Sequence, residues 1–183
     1  MADKTIQTKV DNKPLEYYII GNIINLVNHY QKQKIELRAY NAQNDKMIGM
    51  CDFAISARNN ISTLLYIEVN PQFRQKHIGN ALIKITHSYL AKKGVEQICG
   101  IFSPDPMANW AAENFYRTNN YSVMMDAELL FRHIKKEDKI PHEDVKWNIT
   151  TVHTKAKLQA LEEITVSPAT FDNENERSLT LKK

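Results

Sequence analysis

Apolar and polar positions alternate with a period that changes along the chain, and this change divides the chain into elements. The apolar runs 35–42 and 47–56 are predicted strands, and polar residues 43–46 between them indicate a hairpin turn. From residue 64 onward the predicted order is a strand, a polar turn, a helix, a strand, a helix and a long strand region, at 64–70, 71–77, 78–93, 96–102, 107–119 and 121–133. A hairpin followed by strand–helix units predicts an α/β or α+β domain around one central sheet.

Three local patterns refine this outline. Residues 15–33 are ambiguous, because their isoleucines fall at helical spacing while Gly21 weakens a continuous helix. In the strand 64–70, strict alternation puts Leu64, Tyr66 and Glu68 on one side. In the helix 78–93, His87 lies off the apolar stripe that faces the core.

Length and composition indicate a small domain with a tail. The 183 residues are 43% hydrophobic with a net charge of +3, and we divide them into a flexible segment 1–14, a domain 15–134 and a charged extension 135–183. Within the extension, 154–164 is a predicted short helix and 171–183 is predicted to be disordered. Acids interspersed with bases argue against nucleic-acid binding. The sequence has no leader pattern, no apolar run long enough for a bilayer and no metal-ligand spacing, so we expect a cytoplasmic protein without a metal.

The turn after the strand 64–70 carries positive charge to the start of a helix. Arg74, Lys76 and His77 lie there, directly before the first residues of the helix at Ile78. The first N–H groups of a helix lack internal partners and attract anions. This turn therefore suits a ligand rich in phosphate.

Two stretches resemble the signatures of one family. Residues Val69 to Leu82 run Val-Asn-Pro-Gln-Phe-Arg-Gln-Lys-His-Ile-Gly-Asn-Ala-Leu, and residues Asn109 to Tyr121 run Asn-Trp-Ala-Ala-Glu-Asn-Phe-Tyr-Arg-Thr-Asn-Asn-Tyr. In this order and at this separation they resemble the coenzyme A loop and the second signature of the GNAT superfamily of N-acetyltransferases. The resemblance covers about residues 35–134. It departs at His77 and Asn120, where the family has glycine, and we expect His77 to adopt a permitted conformation and to add a donor to phosphate.

The resemblance implies a central, mixed and mostly antiparallel sheet that is flanked by helices. It also implies acetyl-coenzyme A as the donor and assigns residues to it. The main chain of Gln75–Asn80 would bind the diphosphate, and the edge of a strand that splays from its neighbour would pair with the pantetheine arm. The implied cofactor-binding residues are Ile67, Val69, Arg74, Gln75, Lys76, His77, Ile78, Gly79, Asn80, Asn109 and Tyr116. Asn109 has a second interpretation as the cap of its helix.

Acetyl transfer to an amine needs a proton donor for the leaving thiolate and a base for the amine. The resemblance assigns the role of the acid to Tyr116. The alternative interpretation is that Tyr116 only packs beside Phe115. Glu68 is the candidate base, an ionisable residue in an apolar strand, and a rim carboxylate without a role is the alternative. Asp52 on the neighbouring strand is the weaker substitute. Cys51 and Cys99 are interpreted as core thiols.

The acceptor is an unidentified primary amine on a small molecule, peptide or protein. In the family the acceptor lies between the first helical region and the late strands, here 15–33 and 124–132. Candidates to line its site are Tyr17, Tyr18, His29 and Tyr30. A homodimer is compatible with this interpretation. The competing hypothesis is a non-catalytic module that binds coenzyme A or another protein, since a fold alone does not determine function.

Overall fold

The computed structural model describes residues 15–102, 109–139 and 145–153, of which the side chain of Asn109 is left out. In this part of the chain, eight strands form one sheet and two α-helices pack on it. The strands are β1 Tyr17–Val27, β2 Gln31–Asn41, β3 Met47–Ser56, β4 Ile61–Val69, β5 Gln97–Ile101, β6 Ser122–Met124, β7 Leu129–His133 and β8 Val145–His153. The helices are α1 Ile78–Lys92 and α2 Asn109–Thr118. Short 3₁₀ turns occur at Pro71–Phe73, Met125–Ala127 and Lys136–Asp138.

The sheet order is β6-β7-β5-β4-β3-β2-β1-β8. Strands β1 to β4 form an antiparallel meander, while β4 pairs with β5 and β1 pairs with β8 in parallel. This confirms the predicted mixed and mostly antiparallel sheet with flanking helices. Neither described helix is both long and apolar enough to cross a bilayer.

Helix α1 packs on one face of the sheet, which we call the helix face, and supplies much of the core. Its fully buried side chains include Ile78, Leu82, Ile83 and Leu90, which belong to the same cluster as Leu37 and Phe53 of the strands. Cys51 of β3 lies within 3.4 Å of the Thr86 hydroxyl of α1, so the alternate residues of β3 that include Cys51 point to this face. The intervening residues, such as Asp52, point to the opposite face.

The ambiguous segment 15–33 forms a strand and a turn, and the helical interpretation of its spacing is wrong. Alternating burial along β1 and pairing with β2 and β8 decide the outcome. Gly21 is part of the reason, because a Cβ there would lie 2.4 Å from the ring of Trp147 on β8. Isoleucine also favours strands because its branched side chain packs well on a pleated surface.

The late part of the chain differs from the prediction in two places. The long strand region 121–133 is a hairpin of β6 and β7 around the turn Met125–Ala127. Strand β8 lies at the sheet edge, so residues 145–153 of the predicted charged extension belong to the sheet, where the sequence predicted no strand. The predicted segments 1–14, 154–164 and 171–183 lie outside the described residues.

A bulge in β4 changes the side on which Leu64 points. Asp52 pairs with Tyr66 but Phe53 pairs with Leu64, so Leu65 is an extra residue in β4. Leu64 therefore joins the core on the helix face, while Tyr66 and Glu68 remain on the opposite face. The strict alternation predicted for Leu64, Tyr66 and Glu68 is wrong for Leu64.

Candidate functional site

Strands β4 and β5 separate halfway along β4. Their ladder runs from the pair Ile61–Gln97 to the pair Leu64–Gly100 and ends there. Strand β4 continues to Val69 but pairs beyond this point only with β3, through Ile67–Cys51 and Val69–Gly49 among others. The β5-facing edge of residues 65–69 thus borders an opening, which we call the strand gap. This is the splay that the sequence resemblance implied.

The chain leaves β4 through a compact turn at the end of the strand gap. Asn70 caps the 3₁₀ turn by accepting a hydrogen bond from the Gln72 N–H at 3.1 Å. The Arg74 Nε donates to the Val69 carbonyl at 3.2 Å, and Lys76 Nζ lies 5.6 Å from the centre of the Phe73 ring. These contacts fold both cationic side chains against the turn while leaving them exposed.

Two non-glycine residues of the turn have left-handed backbone. Gln75 has φ of 60° and His77 has φ of 61°, and α1 begins at the next residue, Ile78. His77 therefore has a conformation that a non-glycine residue can adopt, as expected, and Asn120 does the same with φ of 63°. That His77 adds a donor to phosphate stays a prediction. His77 is exposed and makes no capping bond through its side chain.

The start of α1 offers backbone donors close to the end of β4. The Ala81 N–H donates to the His77 carbonyl at 3.0 Å, so the N–H groups of Ile78, Gly79 and Asn80 precede the intrahelical bonds. A Cβ on Gly79 would lie 3.2 Å from the Phe115 ring and 3.6 Å from Val69, so glycine permits the close packing of α1, α2 and β4 here. The Asn80 side-chain oxygen accepts a hydrogen bond from the Asn119 amide at 3.0 Å.

Tyr116 lies on the helix face beneath the strand gap. Its ring packs edge-on against Phe102, Phe115 and Tyr121, with centroids 5.9, 5.2 and 5.5 Å away. Burial, and then the nearby Cys51 thiol, raise the pKa of Tyr116 well above its usual value. Its hydroxyl makes no hydrogen bond with any residue in the described part of the chain. Tyr116 is therefore a neutral phenol that is only partly buried.

A buried pair of side chains, His87 and Tyr121, lies behind Tyr116, and the sequence analysis did not predict it. His87 Nε2 and the Tyr121 hydroxyl lie 2.9 Å apart, and both side chains are buried. Burial first, then the charge of Arg132, lower the pKa of His87 to about 3, while burial raises that of Tyr121. The prediction that His87 lies off the core-facing stripe was wrong because its hydrogen bond comes from a distant residue, which periodicity does not reveal.

Glu68 lies on the face opposite α1 and has a different set of contacts. It accepts a hydrogen bond from the hydroxyl of Tyr66, two residues away on β4, and it forms no ion pair with a described residue. Burial, then the hydrogen bond to Glu68, raise the pKa of Tyr66 above its usual value. Glu68 thus has a neutral neighbour and an unbalanced negative charge.

Asp52 is engaged in a network of ion pairs on the same face. It binds Arg38 through both guanidinium nitrogens, and Lys34 Nζ lies 3.8 Å from it. Lys34 and Arg38 also contact Glu36, at 2.9 and 3.6 Å. Two positive and two negative charges balance here, so Asp52 is a poorer candidate base than Glu68.

The structure brings together most of the predicted site but separates one group. Ile67, Val69, the turn from Arg74 to His77, the start of α1 and Tyr116 all border the strand gap. Asn109 begins α2, and its side chain lies outside the described part. The proposed acceptor residues Tyr17, Tyr18, His29 and Tyr30 lie on β1 or in the turn after it, three strands from β4, and do not border the gap. Among the described residues no group of three or more His, Cys, Asp or Glu could hold a metal.

Comparison with known proteins gives matches only among solved structures. No family model matches the chain, and no curated protein matches it. The PaiA N-acetyltransferase from Thermoplasma acidophilum, solved with coenzyme A, is 22% identical with a TM-score of 0.47, covering 55% of this chain and 60% of that one. A GNAT-family acetyltransferase from Staphylococcus aureus Mu50 is 18% identical with a TM-score of 0.47, covering 56% and 68%. The ribosomal-protein-S18-alanine N-acetyltransferase from Escherichia coli is 18% identical with a TM-score of 0.45, covering 61% and 73%. The chain thus spans less than two thirds of the first of these proteins.

Proposed function

We propose that this chain is an N-acetyltransferase that transfers an acetyl group from acetyl-coenzyme A directly to a primary amine. The observation that carries the proposal is the strand gap, which opens after Leu64 and Gly100 and ends at the first turn of α1. An unpaired strand edge and a helix N-terminus with basic residues suit an extended amide-containing arm joined to a diphosphate. The two sequence signatures of the GNAT superfamily fall on this same site.

Acetyl-coenzyme A would supply the acetyl thioester. The main chain of residues 65–69 would hold its amide-rich arm by strand-like hydrogen bonds. The N–H groups of Gln75 to Asn80 would bind the diphosphate, and Arg74, Lys76 and His77 add donors around it. Glycine at position 79 permits the close packing against Phe115 and Val69 that brings the first turn of α1 to the end of β4. An N–H of Ile67–Val69 would stabilise negative charge on the acetyl oxygen, an interaction that contributes about 3 kcal/mol in other enzymes.

Tyr116 would act at the sulfur atom. In the transfer, a bond forms between the amine nitrogen and the acetyl carbon, the carbon–sulfur bond breaks, and the thiolate gains a proton while the amine loses one. Because burial raises its pKa, the Tyr116 hydroxyl keeps its proton until an anion appears beside it. Burial disfavours a thiolate in the same place for the same reason, so the pKa values of the two groups rise together.

Glu68 would act at the amine from the other side of β4. Tyr116 approaches the strand gap from the helix face, and Glu68 lies on the opposite face of the sheet, which we call the open face. The acid and the base therefore do not compete for one position. A lysine-like amine is mostly protonated at neutral pH and must lose a proton before it attacks. Glu68 would attract the ammonium form and take this proton, directly or through water.

A route through an acetylated cysteine is disfavoured. Cys51 is fully buried, and burial raises the pKa of its thiol to about 12, so the reactive thiolate is scarce. Cys99 lies on β5, where its thiol contacts the Ser62 carbonyl at 3.5 Å. Both thiols are free, which is the basis on which we also propose a cytoplasmic location.

The variant Tyr116→Phe tests the proposal. We expect the turnover with acetyl-coenzyme A and a panel of amines to fall about a hundredfold, while the affinity for the cofactor stays within twofold. Tyr40→Phe, on β2 and stacked on Tyr18, is the matched control and should leave both unchanged. Equal turnover in Tyr116→Phe and in the unaltered chain would contradict the acid role.

The competing function is a non-catalytic module that binds coenzyme A. The observation that favours it is His77, an imidazole at a position where the resembled loop has glycine. Calorimetry of coenzyme A binding and analysis of acetylated products together distinguish the two functions. Binding of coenzyme A without acetylation of any amine would support the module and contradict the enzyme.

A further inference from the structure

Three exposed apolar side chains form a row beside the strand gap. Leu129 of β7 lies opposite Ile101 of β5 on one side and opposite Met124 of β6 on the other. Residues directly opposite each other in antiparallel strands point to the same face. Ile101, Leu129 and Met124 therefore form one continuous row, and they are 73%, 45% and 50% exposed. We call this the apolar row.

The apolar row lies on the open face of the sheet. The neighbouring positions Gly100, Leu130 and Val123 point to the helix face, where Leu130 and Val123 are buried. No described helix or strand covers the open face at this place. Because adjacent strands are about 4.8 Å apart, a row across three strands is about 10 Å long. Large exposed apolar side chains side by side on one face indicate a surface that binds an apolar group.

The row is continuous with the proposed site of transfer. Ile101 follows Gly100, which makes the last pair between β4 and β5, so the row begins where the strand gap opens. Glu68 and Tyr66 border the gap on the β4 side and point to the same open face. The turn between β6 and β7 is held beside this end of β5, since the Phe102 N–H donates to the Glu128 carbonyl at 2.7 Å.

The charges around the apolar row favour a positively charged ligand. Glu68 has an unbalanced negative charge, while the ion-pair network of Asp52 beside it is balanced. Asp126 and Glu128 are exposed on the turn between β6 and β7, which is held beside the gap end of β5, and they add negative charge at that end of the row. An apolar strip with carboxylates at its gap end complements a cation with an apolar body and repels a carboxylate.

We infer that the acceptor is a small primary amine on an apolar body of about 10 Å, a size set by the strand spacing. The inference rests on the proposed acetyl transfer and names the substrate class for it. Ile101, Leu129 and Met124 bind the apolar body, and Glu68 binds the amine nitrogen at the strand gap. A second charged group at the far end of the amine would lie on the apolar row and lose its hydration without a partner.

The test compares three amines with the full-length chain. 4-Phenylbutylamine has the proposed length and apolar end, butylamine lacks the apolar end, and 1,8-diaminooctane has a second charge at the far end. Mass spectrometry measures the acetylated products, and calorimetry measures the binding of each amine to the chain saturated with coenzyme A. We expect kcat/KM for 4-phenylbutylamine to exceed the other two by roughly tenfold or more, the order observed for single apolar groups in binding pockets.

Two variants locate the preference. Leu129→Gln should abolish the preference for 4-phenylbutylamine over butylamine. Ile149→Gln is the matched control, because Ile149 is 68% exposed but lies on β8 at the opposite edge of the sheet. It should keep the preference. Both positions are exposed, so neither change disturbs the core.

The outcomes separate this inference from the proposed function. Acetylation of all three amines at equal rates, or a preference that Leu129→Gln leaves intact, overturns the inference and leaves the transferase. Absence of acetylation together with absence of coenzyme A binding overturns the proposed function. If coenzyme A binds without turnover, the calorimetric affinities decide, and equal or absent binding of the three amines overturns the inference.

Discussion

Leu64 and Gly100 are the last paired residues of the β4–β5 ladder, and their backbones approach closely. A Cβ on Gly100 would lie 3.2 Å from the Leu64 carbonyl oxygen, 3.3 Å from the Leu64 Cβ and 3.1 Å from Leu130. The strand gap therefore begins at a point where the two strands pack as tightly as the chain allows. A change at this point acts on the width and the position of the gap.

We predict that Gly100→Ala lowers the free energy of unfolding by about 1–3 kcal/mol, the usual cost of overpacking a core. The Leu64 backbone cannot move aside without weakening its pairing with β3. Urea unfolding measures the loss, and weaker binding of acetyl-coenzyme A should accompany it. Stability equal to that of the unaltered chain would mean that the two strands are not in this contact.

The strand gap could be expected from sequence, but the details of β4 could not. The turn from Pro71 to His77 and the helix after it carry local signals, namely the proline, the basic residues and the apolar stripe. The bulge at Leu65 depends on pairing with β3, which no local pattern encodes. The assignment of β1 was ambiguous for the same reason. Its isoleucines fit both the helical and the strand period, and only contacts with β2 and with Trp147, which are distant in sequence, decide between them.

His77→Gly should change stability and affinity in opposite directions. A non-glycine residue at φ of 61° is strained by about 1 kcal/mol, and glycine removes this strain while gaining freedom in the unfolded chain. We expect equal or slightly higher stability. The loss of one donor to phosphate, about 1 kcal/mol, should weaken coenzyme A binding about fivefold.

Gln75→Gly is the control for His77→Gly, because Gln75 has almost the same φ but is not charged or aromatic. It should show the same stability change in thermal unfolding and a smaller loss of affinity in calorimetry. If both variants lose the same affinity, the imidazole adds nothing and the backbone alone binds the ligand.

The lowered pKa of His87 predicts that the free energy of unfolding falls in mild acid. Its pKa is lowered to about 3 in the folded chain, mainly by burial, whereas an unfolded histidine titrates near pH 6.5. As pH falls below about 6.5 the unfolded chain gains a proton that the folded chain does not, so stability falls by up to about 1.4 kcal/mol per pH unit.

Asp138 extends the same trend to lower pH. Burial alone would raise its pKa, but hydrogen bonds from Arg132 and the Lys135 N–H outweigh burial and lower it. Its stabilisation is present above about pH 4 and is lost as pH falls through its folded pKa. Urea unfolding at pH 7, 6, 5 and 4 measures the profile. His87→Gln should flatten it between pH 6 and 4, while the exposed His133→Gln should not change its slope.

A change at Glu68 should mainly affect catalysis, whereas a change at Asp52 should mainly affect stability. Glu68→Gln should lower kcat/KM about a hundredfold at pH 7 with little change in stability, because Glu68 has no ion pair with a described residue. Asp52→Asn should instead lower the free energy of unfolding by about 2–3 kcal/mol, because it leaves Lys34 and Arg38 with Glu36 as the one carboxylate of this network. Steady-state kinetics and urea unfolding of both variants give the comparison. The reverse pattern would transfer the base role to Asp52.

The site as a whole was predictable where it follows contiguous sequence and was not where it depends on tertiary contacts. Tyr116 and the turn before α1 fall within recognisable stretches. The neighbours that fix Tyr116, namely Phe102 and the Tyr121–His87 pair, come from three separate elements. The apolar row likewise exists only because β6 and β7 fold back beside β5, in a region that the sequence pattern presents as one long strand.

The central claim is that the main chain of residues 65–69 and 75–80 binds the cofactor, and amide hydrogen exchange tests it most directly. With saturating acetyl-coenzyme A, we expect slower exchange of these two groups of amides and no change at the opposite edge of the sheet in β8. Unchanged exchange at both groups, under conditions where the ligand is in large excess, would contradict the account.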